Sequence, residues 1–284
     1  MTLVSSKDLL IKARKENFAI PAFNVNNIEM GIAIKEAIEE CKSPVILQVS
    51  QGNIKYIGFR FAVDLVKMIA KNTDMPVVLH LDHGNSFEQN IRCIQEGFTS
   101  LMFDGSKLPF EENIKITSKI VEIAHICNIP VEAELGKVLA TEDNFNQDDV
   151  NNYMTNPQEA LEFVNKTNVD SLAVAIGNIH RMKDKEVKLN IDILKEISNL
   201  VDIPLVLHGS SGVMIDSIKE GIKYGLAKIN IATELNIAFR DGISEYINQN
   251  PNDSDVRKAL SLGKQRVKEK VIFYLKEFDT INKA

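Results

Sequence analysis

Leu79-His80-Leu81-Asp82-His83-Gly84 is the stretch on which the reading of this chain turns, because an apolar run from Pro76 ends there in a carboxylate, an imidazole and a glycine. Val77, Val78, Leu79 and Leu81 make a strand that is apolar on both faces, as in a parallel sheet covered by helices. Polar groups at the carboxyl end of such a strand have two explanations. Asp82 can cap a helix starting near Ser86 while His83 is a satisfied core histidine, or both can belong to a site. Repetition favours the site. Leu205-Val206-Leu207-His208-Gly209 has the same form, Ala173-Val174-Ala175-Ile176-Gly177 leads to His180, and Val131-Glu132-Ala133-Glu134-Leu135-Gly136 ends in carboxylates.

Outward from this stretch, strands and helices alternate along the chain. Ser6 is placed to cap a first helix over Lys7 to Glu16. The expected strands are Ala19 to Phe23, Val45 to Val49, Pro76 to Leu81, Ser100 to Phe103, Pro130 to Leu135, Ser171 to Ile176, Ile203 to Leu207 and Lys228 to Ala232. Helices are expected over Ile28 to Cys41, Phe61 to Ala70, Phe87 to Glu96, Phe110 to Cys127 and from Pro157, whose missing N–H costs little at a helix start. A helix over Glu234 to Asn248 and a last basic helix over Ser254 to Phe278 end the chain. The rhythm breaks once, at the polar segment from Lys137 to Thr155, which is long for a connection and reads as either a solvated loop or a lid. Eight strands of this kind predict an α/β fold, a single (β/α)8 TIM barrel over residues 1–284 with an N-terminal helix and an extra C-terminal helix. A dinucleotide-binding open sheet would need a GxGxxG turn after its first strand, and none is there.

With 44% hydrophobic residues and a net charge of −6, the chain can bury a large core and has no general affinity for nucleic acid or membrane, although a local phosphate pocket is compatible with that charge. No signal peptide and no membrane-length apolar run is present, so a cytoplasmic protein is expected. Cys41, Cys93 and Cys127 lack CxxC spacing and read as small core residues rather than as disulfide or thiolate metal ligands.

In a barrel of this kind, the carboxyl ends of the strands carry the site, here Asn24, Ser50, Asp82, His83, Asp104, Glu134, His180, His208 and Asn230. Three histidines on one rim, His83, His180 and His208, can converge on a catalytic metal. His80 shares a strand face with Asp82 and reads as an inner-layer residue, and His125 as structural. Gly209-Ser210-Ser211-Gly212 and Asn230-Ile231-Ala232-Thr233 follow the seventh and eighth strands, where this fold binds phosphate through backbone N–H groups.

These residues resemble the class II, zinc-dependent ketose-bisphosphate aldolases, which include fructose-bisphosphate and tagatose-bisphosphate aldolases. The resemblance runs through Pro21-Ala22-Phe23-Asn24, His80 to Gly84, Val131 to Gly136, Ala175-Ile176-Gly177 with His180, Leu207-His208-Gly209 and Asn230 to Glu234. It implies reversible cleavage of a ketose 1,6-bisphosphate, fructose 1,6-bisphosphate by preference, to dihydroxyacetone phosphate and glyceraldehyde 3-phosphate, a lyase step of glycolysis. It implies Zn2+ on His83, His180 and His208, a second divalent ion near Asp104 and Glu134 in some members, and a monovalent cation. Asp82 then handles the carbon-4 hydroxyl proton and Glu142, on the lid, the proton at carbon 3. Asn24 and Ser50 contact substrate; Gly209, Ser210, Ser211, Asn230, Ile231, Ala232 and Thr233 hold the dihydroxyacetone-phosphate end. Arg257 reaches a neighbouring subunit's site, which implies a homodimer or homotetramer.

Two departures from the family stand out. Arg181 occupies the position of a usual glycine and is expected to alter the phosphate or cation site, binding phosphate itself. Leu139-Ala140 replaces a usual glycine pair and is expected to stiffen the lid. His80 to Glu88 with Phe103 to Ser106 look closer to the fructose-type enzymes, whereas Asp170 to Gly177 and Ala232 to Phe239 look closer to the tagatose type. Two readings from other classes stay open on the residues alone: a barrel hydrolase in which the histidines activate water, and a sugar-phosphate binding protein with weakened catalysis. A class I Schiff-base route is disfavoured, because Lys228 begins the eighth strand, away from the rim.

Overall fold

The computed structural model describes residues 3–140, 150, 152–180 and 186–284. Its strands in chain order are β1 (Ile20–Asn24), β2 (Val45–Ser50), β3 (Val77–Asp82), β4 (Leu101–Phe103), β5 (Val131–Leu135), β6 (Leu139–Ala140), β7 (Ser171–Val174), β8 (Ile179–His180), β9 (Leu205–Leu207) and β10 (Leu226–Ile231). Eight of them form one sheet in the order β3-β2-β1-β10-β9-β7-β5-β4, every pair parallel. Bridges from His80 to Ser100 and from Gly84 to Phe103 bring β4 back against β3 and close the barrel. The remaining two, β6 and β8, form a separate parallel ladder, Leu139 beside Ile179 and Ala140 beside His180.

Strand alternation decides what fills the barrel. Val77, Leu79 and Leu81 pack outward in the large cluster beneath the helices, with Leu47 and Phe23. Val78 points inward and joins Ile20, Ala22, Ile46 and Ala227 in a second cluster that also contains Leu10, Ala13 and Phe18. The first helix, Ser6–Glu16, therefore plugs the amino-terminal mouth of the barrel. The next inward position along β3 is His80 and the last is Asp82, both buried, so the interior changes from apolar to polar toward the carboxyl end.

Several boundaries differ from expectation, each for a local reason. Ser5, not Ser6, caps the first helix by accepting from Lys7 N, while Ser6 is buried and donates to Ser100 Oγ at 2.9 Å. Ser50 caps a helix Gln51–Ile57 that ends at Gly58, whose positive φ starts Phe59–Lys71. Two further helices, Ile191–Leu200 and Ile215–Ile222, complete the covering. The eighth barrel strand begins two residues early, at Leu226, so Lys228 sits inside it with no exposed surface, beneath the rim and outside the cavity lining. Cys41 and Cys93 are buried, but Cys127, the C-cap of Phe110–Ile126, is exposed and is not a core residue. The last helix, Val256–Glu277, crosses Thr233–Gln249 so closely that a Cβ on Gly242 would lie 2.8 Å from the Gly263 Cα. Among the described residues no helix is long and apolar enough to cross a membrane.

Candidate active site

A cavity of about 650 Å³ opens at the carboxyl ends of the strands. Asn24, Ser50, Asp82, His83, Asp104, Glu134, His180, His208, Gly209, Ser210, Ser211, Asn230, Ile231, Ala232 and Thr233 all line it. Glu142 and Arg181 lie outside the described residues. Arg257 does not line the cavity; its side chain is 86% exposed and pairs with Asp255 at 2.9 Å.

The turn after β3 makes the centre. Consecutive strand residues point to opposite faces, so Asp82 facing inward would send His83 outward. His83 instead takes a left-handed φ of 50°, which re-aims its ring into the cavity. Gly84 makes room for this turn against β4, since a Cβ there would come within 2.3 Å of the Met102 carbonyl oxygen. Asp82 does not cap the following helix; Ser86 does. The carboxylate of Asp82 is instead held by two amides, accepting from Asn24 Nδ2 at 2.8 Å on Oδ2 and from Asn230 Nδ2 at 3.3 Å on Oδ1. Gln48 in turn donates to Asn24 Oδ1 at 3.1 Å, which orients the amide.

His83 Nδ1 lies 2.8 Å from Asp104 Oδ2, and its Nε2 lies 3.0 Å from His208 Nδ1. The His180 ring stands 5.6 Å from that of His83 and 6.4 Å from that of His208, centroid to centroid. Among the described residues two donor sets have the spacing to hold a metal ion: Asp82, His83 and His208, and His83, Asp104 and Glu134. His180 belongs to neither set, so the three imidazoles border one space without all three converging on a point.

The electrostatics suit a divalent cation. Burial disfavours a charged His83, but Asp82, Asp104 and Glu134 outweigh it and raise the imidazole to about 10. Burial, together with the neighbouring Asp104, pushes Glu134 up to about 8. Asp104 is half-buried; desolvation works against its charge, yet the hydrogen bond and charge of His83 hold it well below the usual carboxylate range. Glu134 Oε2 is buried without a hydrogen-bond partner. Three carboxyl groups around one protonated imidazole, with a buried oxygen that has no hydrogen-bond partner, are what a divalent cation would satisfy, displacing the protons. Loading should therefore release about two protons per metal at neutral pH, from His83 and Glu134. Affinity should fall as pH falls, most steeply below about 8 where both groups are protonated. Calorimetry of zinc binding in buffers of different ionisation enthalpy measures this, and a proton count of zero would contradict it.

The other end of the cavity suits an anion. Gly209 has a φ of 60° and packs so closely on β8 that a Cβ would lie 3.0 Å from the Ile179 carbonyl carbon. It opens the 3-10 turn Ser210–Gly212. The helix Thr233–Gln249 starts at the same cavity with no side-chain cap, leaving its first N–H groups for a ligand. Lys107, Lys137, Glu234 and Tyr274 also line the cavity and escaped the sequence reading, as did Glu132 beneath His208. Only Glu132 carried a usable signal, since it lies two residues before Glu134 on the same face of its strand. His125 is structural as expected, 2.8 Å from Asp170 through Nε2, and His80 is an inner-layer residue bound to Ser100.

Comparison with known proteins agrees over the full length. The family model described as "Fructose-bisphosphate aldolase class-II" matches residues 4–283. The chain is 43% identical to the fructose-bisphosphate aldolase of Geobacillus stearothermophilus, covering 100% of this chain and 99% of that one. It is likewise 43% identical to a fructose-bisphosphate aldolase of Staphylococcus epidermidis, with 100% of both covered. Among solved structures, the YdjI aldolase from Escherichia coli K12 superposes with a TM-score of 0.86 at 36% identity, over 99% of each chain. Fructose-bisphosphate aldolase from Campylobacter jejuni gives 0.84 at 26% identity, over 99% of this chain and 97% of that one.

Proposed function

Since the chain belongs to the class II fructose-bisphosphate aldolase family, we propose that it is an aldolase that reversibly cleaves fructose 1,6-bisphosphate to dihydroxyacetone phosphate and glyceraldehyde 3-phosphate. One observation carries this reading: Asp82, a carboxylate held by two amides, shares one cavity with an anion-ready turn and with the cation-ready cluster to which it belongs. The carbon-1 phosphate sits on the N–H groups of Gly209, Ser210 and Ser211 and of residues Asn230 to Thr233. Asn24 and Ser50 contact the sugar. His83 and His208, with His180 bordering the same space, would hold Zn2+, and Asp104 and Glu134 would be available to a second divalent ion. A bound divalent cation supplies Lewis-acid stabilisation for the negative charge that builds on the substrate's carbonyl oxygen. Asp82 takes the carbon-4 hydroxyl proton, the carbon 3–carbon 4 bond breaks to release the aldehyde, and Glu142 returns a proton to carbon 3 of the remaining triose phosphate. Arg181 binds phosphate at the same end.

The test is a coupled assay of triose-phosphate release from fructose and tagatose 1,6-bisphosphates at one zinc concentration. The two sugars differ only at carbon 4, the hydroxyl that Asp82 addresses. A specificity constant for tagatose tenfold or more above fructose, about 1.4 kcal/mol of transition-state discrimination, would reverse the choice of sugar.

Arg257 acts in a homodimer or larger homo-oligomer, gripping the far phosphate in the neighbouring subunit's cavity. Support comes from its exposure and from an apolar groove in which Tyr56, 78% exposed, lies beside Met30, Phe239 and Ile243. Arg257→Ala should raise KM for the bisphosphate while barely changing binding of dihydroxyacetone phosphate, because guanidinium pairs bidentately with phosphate. Equal losses for both ligands would assign Arg257 to folding or assembly instead.

A further inference from the structure

Beneath the cavity, in the barrel interior, Lys228 is fully buried. An ammonium has three protons to donate and nothing to accept with. Lys228 Nζ lies 2.9 Å from Glu132 Oε2, 3.1 Å from Glu132 Oε1 and 3.3 Å from His80 Nε2. His80 Nε2 must accept, so its proton is on Nδ1, where Ser100 Oγ stands at 2.8 Å. Ser6 Oγ donates to the same Ser100 oxygen. On its other side, Glu132 Oε1 lies 2.9 Å from His208 Nε2. A carboxylate only accepts, so His208 carries its proton on Nε2 and keeps the lone pair on Nδ1, the nitrogen 3.0 Å from His83 Nε2. Lys228, Glu132, His80, Ser100, Ser6 and His208 are all buried, so no water can substitute for any partner.

We infer that Glu132 and Lys228 are positioning residues that lock His208 in the Nε2–H tautomer and so present its Nδ1 to a metal. His80, Ser100 and Ser6 anchor the lysine from the plugged end of the barrel. Lys228 matches a carboxylate charge that would otherwise stand alone in the interior. With all three donors engaged, it is tied to this task and offers no free amine to a substrate. This inference rests on the reading of His208 as a metal ligand.

Glu132→Gln tests it. The glutamine keeps the shape, but Lys228 claims its single oxygen and leaves the NH2 group facing His208 Nε2. The His208 proton then moves to Nδ1 and the ligand lone pair is lost. Zinc affinity, measured by competition with a chelator of known affinity, should fall ~10–100-fold, and 15N spectra of the histidines in metal-free protein should show the switched tautomer. Glu132→Gln with Lys228→Met frees the amide to turn its oxygen toward His208, and should recover part of the lost affinity, whereas a packing role predicts a further loss. Wild-type affinity in the single variant, or a double variant no better than the single, overturns the inference alone. Wild-type protein that binds no zinc overturns the metal reading with it. If neither variant folds, the wild-type metal-free spectrum still decides: a proton on His208 Nδ1 would refute the lock.

Discussion

Removal of divalent metal should abolish cleavage of fructose 1,6-bisphosphate, and added zinc should restore it, while borohydride in the presence of substrate leaves activity intact. The expected loss is the largest available from this site, because electrophilic stabilisation of a developing oxyanion contributes several kcal/mol, which corresponds to ~10³-fold or more in rate. Of the lysines that line the cavity, Lys107 is exposed and Lys137 is half-buried over the Tyr153 ring, so neither is the desolvated amine that a Schiff base needs. The imidazoles are neutral donors or serve carboxylates, and Lys228 is occupied three times over beneath them. A Schiff base at Lys228 would require it to abandon Glu132 and rise through a packed interior. Cleavage that persists after complete metal removal, or inactivation by borohydride, would refute the mechanism. The measurement is triose-phosphate release before and after dialysis against chelator, with metal content determined on the same samples.

Asp82→Asn should retain zinc and lose turnover by ~10²–10⁴-fold, the usual range for positioned acid–base assistance. It should also cost stability. Two amide donors converge on the carboxylate, from Asn24 and Asn230, and each has its own oxygen of Asp82. An asparagine there has one oxygen, so one donor faces another N–H in a buried position, a loss of about 1–3 kcal/mol. Thermal unfolding of the metal-free variant measures that cost separately from turnover. A fall in metal content parallel to activity would assign Asp82 to holding the metal instead of moving the proton.

The barrel and the position of its site were legible because parallel strands buried on both faces leave few places for polar residues. Asp82, His83, Glu134 and His208 are conspicuous at the ends of Val- and Leu-rich runs, and they do meet in one cavity. What was not legible depends on atoms rather than on pattern. The left-handed turn at His83 is invisible to strand periodicity, which alone would send that ring outward. Lys228 read as the start of a strand, since nothing in Lys228-Ile229-Asn230 reveals that β10 begins two residues earlier and that the lysine meets Glu132 from across the barrel. Ser5 and Ser6 are interchangeable as caps until one of them is needed by Ser100. Arg257 has the residue type for phosphate, but its partner in this single chain is Asp255.

The two-residue ladder of β6 and β8 joins the backbone of Ala140 to that of His180. Glu142 follows two residues after one end of this clasp, and the other end carries an imidazole of the metal-binding rim. Under the proposed function, a shift of this clasp on binding at one end would be felt at the other. A sugar phosphate that favours the clasped backbone favours it equally for the cation, and the factor by which metal tightens substrate must equal the factor by which substrate tightens metal. Under the proposed function, an enzyme linked in that sense would hold its cation least firmly when idle, and competition for scarce zinc would fall first on molecules that are not turning over.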